Sequence, residues 1–292
     1  MAYTTTNLDS KLKQYLDANK MKLFVDSVAT SNETNWMSLM PNTRTDAPVV
    51  ILSLDAALQS GASCSFNAAD TDISNRTVHV IPIKADYEWC ENQLLGTAFA
   101  SEFSKDEMAF EEKLTKMIVE KNGRALNELL YTGNTSNGDL YDGLLTQIAA
   151  DTAITPISNS RTNYMDRIKD VYLAIDVKYA NDTVVLVSPV VYRNLIMELT
   201  DAKVLNYDYL VNGASDEFTY PGTNLKIRQI QAMGTSTAIV ATTEDNIVYA
   251  TDFESDSLRV WFSSDNQTWR AEWLVCAGIN YAFSDRIVYD VD

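Results

Sequence analysis

The alternation of apolar and polar positions changes character several times along the 292 residues. Residues 1–45 are polar and mixed. Leu8, Leu12, Tyr15 and Leu16 recur at helical spacing and predict one short amphipathic helix. The run Trp36-Met37-Ser38-Leu39-Met40-Pro41 is apolar without a period, and reads as part of an arm that docks on something larger. Residues 47–54 (APVVILSL) and 77–84 (TVHVIPIK) are rich in β-branched residues and predict two strands. Pro82 cannot donate to a ladder, so it places the second strand at an edge or its own end. The segment between them holds Ala, Ser, Asn and Asp without helix signals, so the unit reads as an extended hairpin with a long tip.

The strongest helix signal follows. Ser104 to Glu107 forms a capping box, and Phe110, Leu114, Met117, Ile118, Lys121, Ala125 and Leu129 fall at steps of three and four. Glu112 with Lys116, and Glu120 with Arg124, support the helix at i,i+4. It stops near Tyr131, which makes it about 40 Å long at roughly 1.5 Å per residue. Gly123 sits in mid-helix, either at a close approach or as a weak point. A turn-rich segment, GNTSNGDLYDGLLTQI, comes next. Residues 161–180 predict a second helix, and VVLV at 184–187 predicts a short, fully apolar, buried strand. Ser188-Pro189 opens a third helix, with proline in its first turn. Residues 200–224 read as loop. Short strands are expected at 227–230, 237–241, 246–250, 258–262, 271–275 and 279–283, with Ile287, Tyr289 and Val291 on one face of a last strand.

Charge narrows the function classes. Lys plus Arg number 23 and Asp plus Glu 40, a net charge of −17. Such a chain repels phosphate backbones and anionic membranes. Cys64, Cys90 and Cys276 have no CxxC spacing, which disfavours a zinc site or a disulfide framework and fits a reducing compartment. The first residues lack the apolar stretch of a signal peptide, and no segment approaches the roughly 20 apolar residues of a membrane span.

Candidate chemistry is sparse. His79 is the one histidine and lies between two valines, so a structural role is the expectation. Phosphate-loop, dinucleotide, zinc-protease and nucleophile-elbow motifs do not occur. A two-carboxylate hydrolase would have to draw on Asp139, Asp142, Asp208 or Glu217, among many acids that look paired by chance. Trp261, Trp269 and Trp273 cluster late, and Trp269 and Trp273 share strand parity, which reads as sheet core. No cofactor or metal is expected.

The order of these parts resembles the major capsid proteins of tailed bacteriophages, with their Hong Kong 97-type α+β fold. Three places carry the resemblance. They are the Gly138-Asp139-Leu140-Tyr141-Asp142-Gly143-Leu144-Leu145 turn after the long helix, the Val184 to Tyr192 strand entering a helix through Pro189, and late strands bearing Arg259-Val260-Trp261 and Trp269-Arg270-Ala271-Glu272-Trp273. The resemblance implies an N-terminal arm (1–45), an extended β-hairpin loop (46–85), a peripheral domain with a spine helix (86–139), an axial domain (140–240) and peripheral C-terminal strands (241–292). It implies a non-enzymatic subunit that assembles with many copies of itself, as pentamers and hexamers, into an icosahedral shell around double-stranded DNA in the virion, after assembly in the host cytoplasm. Partners would be the portal and other virion proteins, with a separate scaffolding protein and decoration proteins as options. Subunit-contact candidates are Trp36, Met37, Leu39, Leu58, Phe66, Ile73, Tyr207 and Tyr209. Residues 55–75 contain no lysine, so the Lys–Asn crosslinks of some members are not expected. The rival readings are an encapsulin-type nanocompartment, a tail or sheath subunit, and the carboxylate hydrolase.

Overall fold

The computed structural model describes residues 36–54, 71–90, 107–158, 161–203, 217–252, 257–263, 265–266 and 268–291. Thirteen strands and four α-helices occur among them. The strands are β1 (Ser38–Met40), β2 (Ala47–Leu54), β3 (Thr71–Val78), β4 (Ile81–Cys90), β5 (Ile157–Ser158), β6 (Thr183–Val187), β7 (Glu217–Thr219), β8 (Lys226–Gln229), β9 (Ile239–Thr243), β10 (Ile247–Thr251), β11 (Ser257–Ser263), β12 (Thr268–Tyr281) and β13 (Val288–Val291). The helices are α1 (Glu107–Thr132), α2 (Leu144–Ala150), α3 (Tyr164–Ala174) and α4 (Pro189–Asp201).

The strands form three sheets. β12 is the axis of a five-stranded sheet: β4 pairs along one side of it, and β10 and β11 pair in succession with its two ends. A six-stranded sheet runs β5-β13-β9-β6-β8-β7. β2 and β3 make a separate antiparallel ribbon, in register from Ala47 opposite Val78 to Leu54 opposite Thr71. Two stretches predicted as separate strands, 271–275 and 279–283, are one continuous strand of 14 residues. The expected unit 241–292 divides between sheets: β10 to β12 build the five-stranded sheet, whereas β13 pairs with β9 in the six-stranded one.

Burial explains the patterns. β6 is fully buried because its two faces serve two cores. Val184 and Leu186 join α1, α2 and the inner face of the five-stranded sheet, including Ile83, Trp273, Val275 and Ile279. Val185 and Val187 join α3 and α4 through Ile168, Val171, Leu195 and Leu199. A run without alternation is what a strand covered on both sides requires. α4 starts as predicted, with Pro189 in its first turn and the Ser188 hydroxyl accepting from the Val191 N–H.

The 26-residue α1 has the expected length, about 39 Å at 1.5 Å per residue. Its buried stripe, however, is turned from the expected one. Thr115, Ile118, Val119, Asn122, Leu126, Asn127 and Leu130 face inward, while Met117, Lys121 and Ala125 are exposed. Two buried asparagines disguised the true stripe, and Asn122 accepts a hydrogen bond from the Tyr87 hydroxyl on β4. The helical support seen is Lys116 with Glu120. Ser104 of the capping box lies outside the described residues. The helix ends where the Gly143 N–H donates to the Gly133 carbonyl at 2.8 Å. A Cβ on Gly143 would stand 2.7 Å from the Tyr131 carbonyl carbon, so only glycine permits this return. Within the segment read as turns, α2 follows at once.

Candidate assembly arm and its root

The β2–β3 ribbon stands apart from the two larger sheets in its strand pairing. Among the described residues its two strands pair only with each other, over eight rungs spanning roughly 25 Å. Val49 near the root packs on Val78, Val80, Val248, Ala250 and Cys276, a small core on the outer face of the five-stranded sheet. One residue further out, Val50 is 65% exposed. An isolated two-stranded ribbon is marginal in water and needs a surface to lie on.

The root, by contrast, is tightly held. β3 passes into β4 through His79 and Val80, so ribbon and five-stranded sheet share one chain direction. On the inner side, the Arg76 guanidinium lies 4.1 Å from the centroid of the Tyr281 ring and pairs with Asp151 at 3.0 Å. The Tyr281 hydroxyl donates to the same carboxylate at 2.7 Å. Burial, together with the bond given to Asp151, pushes the Tyr281 phenol up to about 12. The Tyr281 hydroxyl and the Ala153 N–H hold the Asp151 carboxyl below its usual range. Asn280 donates to the Thr77 carbonyl at 2.7 Å. On the outer side, Asp46 accepts from the Val80 N–H at 3.2 Å and bonds His79 Nδ1 at 2.9 Å. These two bonds, the His79 one first, keep its carboxyl low. Arg44 pairs with the buried Asp252 just before β2. Both chains entering the ribbon are thus fixed to β12 and its neighbours.

The expected contact residues fall in different places. Met37 is buried in the central core of its own chain. Leu39, two positions on and in the middle of β1, is 50% exposed. Trp36 is half-buried, with the Arg228 guanidinium 5.3 Å from its ring centroid. Ile73 lies on β3 opposite Leu52. Leu58, Phe66, Tyr207 and Tyr209 lie outside the described residues, as does Asp208.

The hydrolase candidates have other duties. Asp139 accepts from the Asn134 N–H at 2.8 Å, and Asp142 from the Thr135 N–H and hydroxyl at 2.7 and 2.8 Å. The Thr135 bonds lower the Asp142 carboxyl. Glu217 is ion-paired to Arg228 at 2.6 Å. His79 is structural in the sense of bonding Asp46, yet it is exposed at the joint and not part of a core. Trp273 is core, while Trp261 is 38% exposed on the opposite face of the sheet. No group of three or more metal-ligating side chains occurs among the described residues. No helix among them is long and apolar enough to cross a membrane.

No protein-family model matches this chain, and no curated protein matches it. Solved structures do. A satellite phage P4 procapsid with its size determination protein aligns with a TM-score of 0.65 at 10% identity, covering 99% of this chain and 98% of that one. The structure titled Gordonia phage Cozz aligns with a TM-score of 0.61 at 12% identity, covering 89% and 86%. A virus-like particle from Pyrococcus furiosus aligns with a TM-score of 0.57 at 10% identity, covering 95% and 99%. Each likeness covers most of both chains, and identity this low speaks to architecture. The chain has the α+β Hong Kong 97-type fold of phage capsid subunits.

Proposed function

We propose that this chain is the major capsid protein of a tailed bacteriophage, a non-enzymatic subunit whose work is to tile a shell. The observation that carries the reading is the β2–β3 ribbon, fixed at its root, paired among the described residues with no other strand, and open to water at Val50. Such a ribbon gains its missing burial on a neighbouring copy. Permanent interfaces of this kind bury on the order of thousands of Å² per subunit. The copies would group as pentamers and hexamers, enclose double-stranded DNA without reading its sequence, and reside in the virion after assembly in the host cytoplasm. The net charge of −17 fits a container wall that does not stick to the DNA it holds. The portal and other virion proteins would complete the particle, with a separate scaffolding protein and decoration proteins as options.

Expression of the full chain followed by negative-stain imaging and sedimentation tests this reading. Closed shells of uniform diameter are expected, with DNA inside when neighbouring phage genes are present. Denaturing gels of those shells should show single subunits without isopeptide ladders. Tubes would indicate a tail component, and shells filled with protein and free of DNA a nanocompartment. A monomer at high concentration would overturn the reading.

A further inference from the structure

We propose that Arg76 sets the angle at which the β2–β3 ribbon leaves the rest of the subunit, and through that angle the curvature of the particle. This role rests on the shell reading and assigns a positioning residue within it. β4 pairs with β12 from Cys90 opposite Thr268 to Ile81 opposite Ala277, and there the ladder ends. β3 pairs with β2 and with no other strand among the described residues. A ladder to β12 therefore does not dictate where the ribbon points. Where the chains cross, the His79 carbonyl occupies the place a Cβ on Gly278 would take, so His79 is a point of contact about which the ribbon can pivot. A strand held at one point swings about it until a second tie further out fixes its direction.

Side chains supply that tie. Asn280 donates to the Thr77 carbonyl at 2.7 Å, close to the pivot. One residue further out, the Arg76 guanidinium is held in two directions. It donates to the Asp151 carboxylate at 3.0 Å, and it lies 4.1 Å from the centroid of the Tyr281 ring. The Tyr281 hydroxyl donates to the same carboxylate oxygen at 2.7 Å, so the three groups hold one another. Asp151 is the residue that ends α2, and Tyr281 is the last residue of β12. The Arg76 and Asp151 side chains are 28% and 18% exposed, so water and salt screen the pair less than an open one. Val49 stands opposite Arg76 on the same rung and packs on the small outer core. Apolar contact of that kind is non-directional, whereas a planar guanidinium set on a carboxylate and a ring accepts one orientation. The Asp46–His79 pair is 54% and 67% exposed and sits at the pivot, where it has no leverage on the angle.

Leverage gives the consequence. At about 3.3 Å per residue, Arg76 lies roughly 10 Å from His79 and Thr71 roughly 26 Å, so a shift of about 1 Å at Arg76 moves the far end of β3 by nearly 3 Å. If the ribbon rests on an adjacent copy, its angle to its own subunit fixes the tilt between the two copies. The rotation between successive copies decides whether a repeated contact closes or runs on open.

The test uses Arg76→Met, which keeps most of the side-chain length and removes the clamp, and Asp151→Asn, which keeps the shape and removes the charge. Thermal midpoints are measured on isolated subunits, and diameters on assembled particles in electron micrographs. Both variants should fold and associate at the parent's threshold concentration, with diameters spread at least twofold more widely than the parent's or with open sheets in place of closed shells. If Arg76→Met does not fold, Asp151→Asn decides by the same two readings. Particles with the parent's diameter and spread would overturn the proposal and leave the shell reading intact. So would folded variants that no longer associate, because Arg76 would then govern affinity and not angle. A parent chain that forms no closed particles would overturn the shell reading along with it.

Discussion

Gly278 on β12 lies against the carbonyl of His79, so close that a Cβ at 278 would stand 2.1 Å from that oxygen. This is the point where the ribbon strand turns into the five-stranded sheet. Around it Asp46, Arg76, Asp151, Asn280 and Tyr281 fix the ribbon from both sides. The arm's direction is therefore set by residues far apart in sequence, and substitutions at its root should act on assembly as well as on stability.

Gly278→Ala tests the joint. The obstructing atoms are backbone, with His79 C at 3.0 Å as well, so no side chain can swing aside. The substitution should cost about 1–3 kcal/mol or more, as overpacking does. Thermal unfolding reads the loss. Subunits that still fold should assemble poorly because the ribbon is re-aimed.

The Arg76–Asp151–Tyr281 cluster predicts a specific pH dependence. A phenol raised to about 12 in the folded chain holds its proton longer than in the unfolded chain, where about 10 is usual. Its contribution to stability is complete below pH ~10 and is lost as pH rises through about 12. The lowered Asp151 acts at the other end: its contribution is present above pH ~4 and lost as the pH falls further. Urea unfolding at pH 8 and pH 11 should show a larger loss for the parent than for Tyr281→Phe. An equal loss in both would remove the tyrosine from the account.

Arg167 and Asp290 form a buried pair at 2.7 Å, with side chains 2% and 0% exposed. Arg167 also donates to the Thr237 carbonyl at 2.9 Å. Asp290→Ala should cost about 3–5 kcal/mol by leaving a buried cation uncompensated. Adding Arg167→Met to Asp290→Ala should recover part of that loss, and a double-mutant cycle in urea measures the difference.

Tyr141 closes the turn after α1 onto β12. Its hydroxyl donates to the Ile279 carbonyl at 2.7 Å and accepts from the Ile279 N–H at 2.9 Å. Gln147 also donates to that carbonyl, at 3.1 Å, so Tyr141→Phe strands chiefly the N–H. The expected cost is about 1–3 kcal/mol by urea unfolding, and Gln147→Ala in the same background should add to it.

Much of this architecture is legible in the sequence where one element decides its own fate. The unbroken VVLV of β6, the Ser188-Pro189 start of α4 and the length of α1 all follow from local rules. The face of α1 does not, because Asn122 and Asn127 occupy buried positions that a hydrophobic pattern assigns to solvent. The ribbon's strands are readable from β-branched residues, but its root is not. Arg76 meets Asp151 and Tyr281 at separations of 75 and 205 positions, and no local pattern in a polar segment announces those partners. Gly278 likewise reads as an ordinary strand glycine until the His79 carbonyl is placed against it. The fate of β13, drawn into the six-stranded sheet by β9 and Arg167, depends on the same kind of distant contact.

The most direct test of the whole account is a high-resolution image of the particles this chain forms. The account predicts a closed shell in which the β2–β3 ribbon of each subunit, with its outward Val50, rests on an adjacent copy while Arg76 and Tyr281 keep their contact at the root. A particle, or a lone subunit, in which the ribbon lies back on its own sheets and touches no neighbour would contradict it.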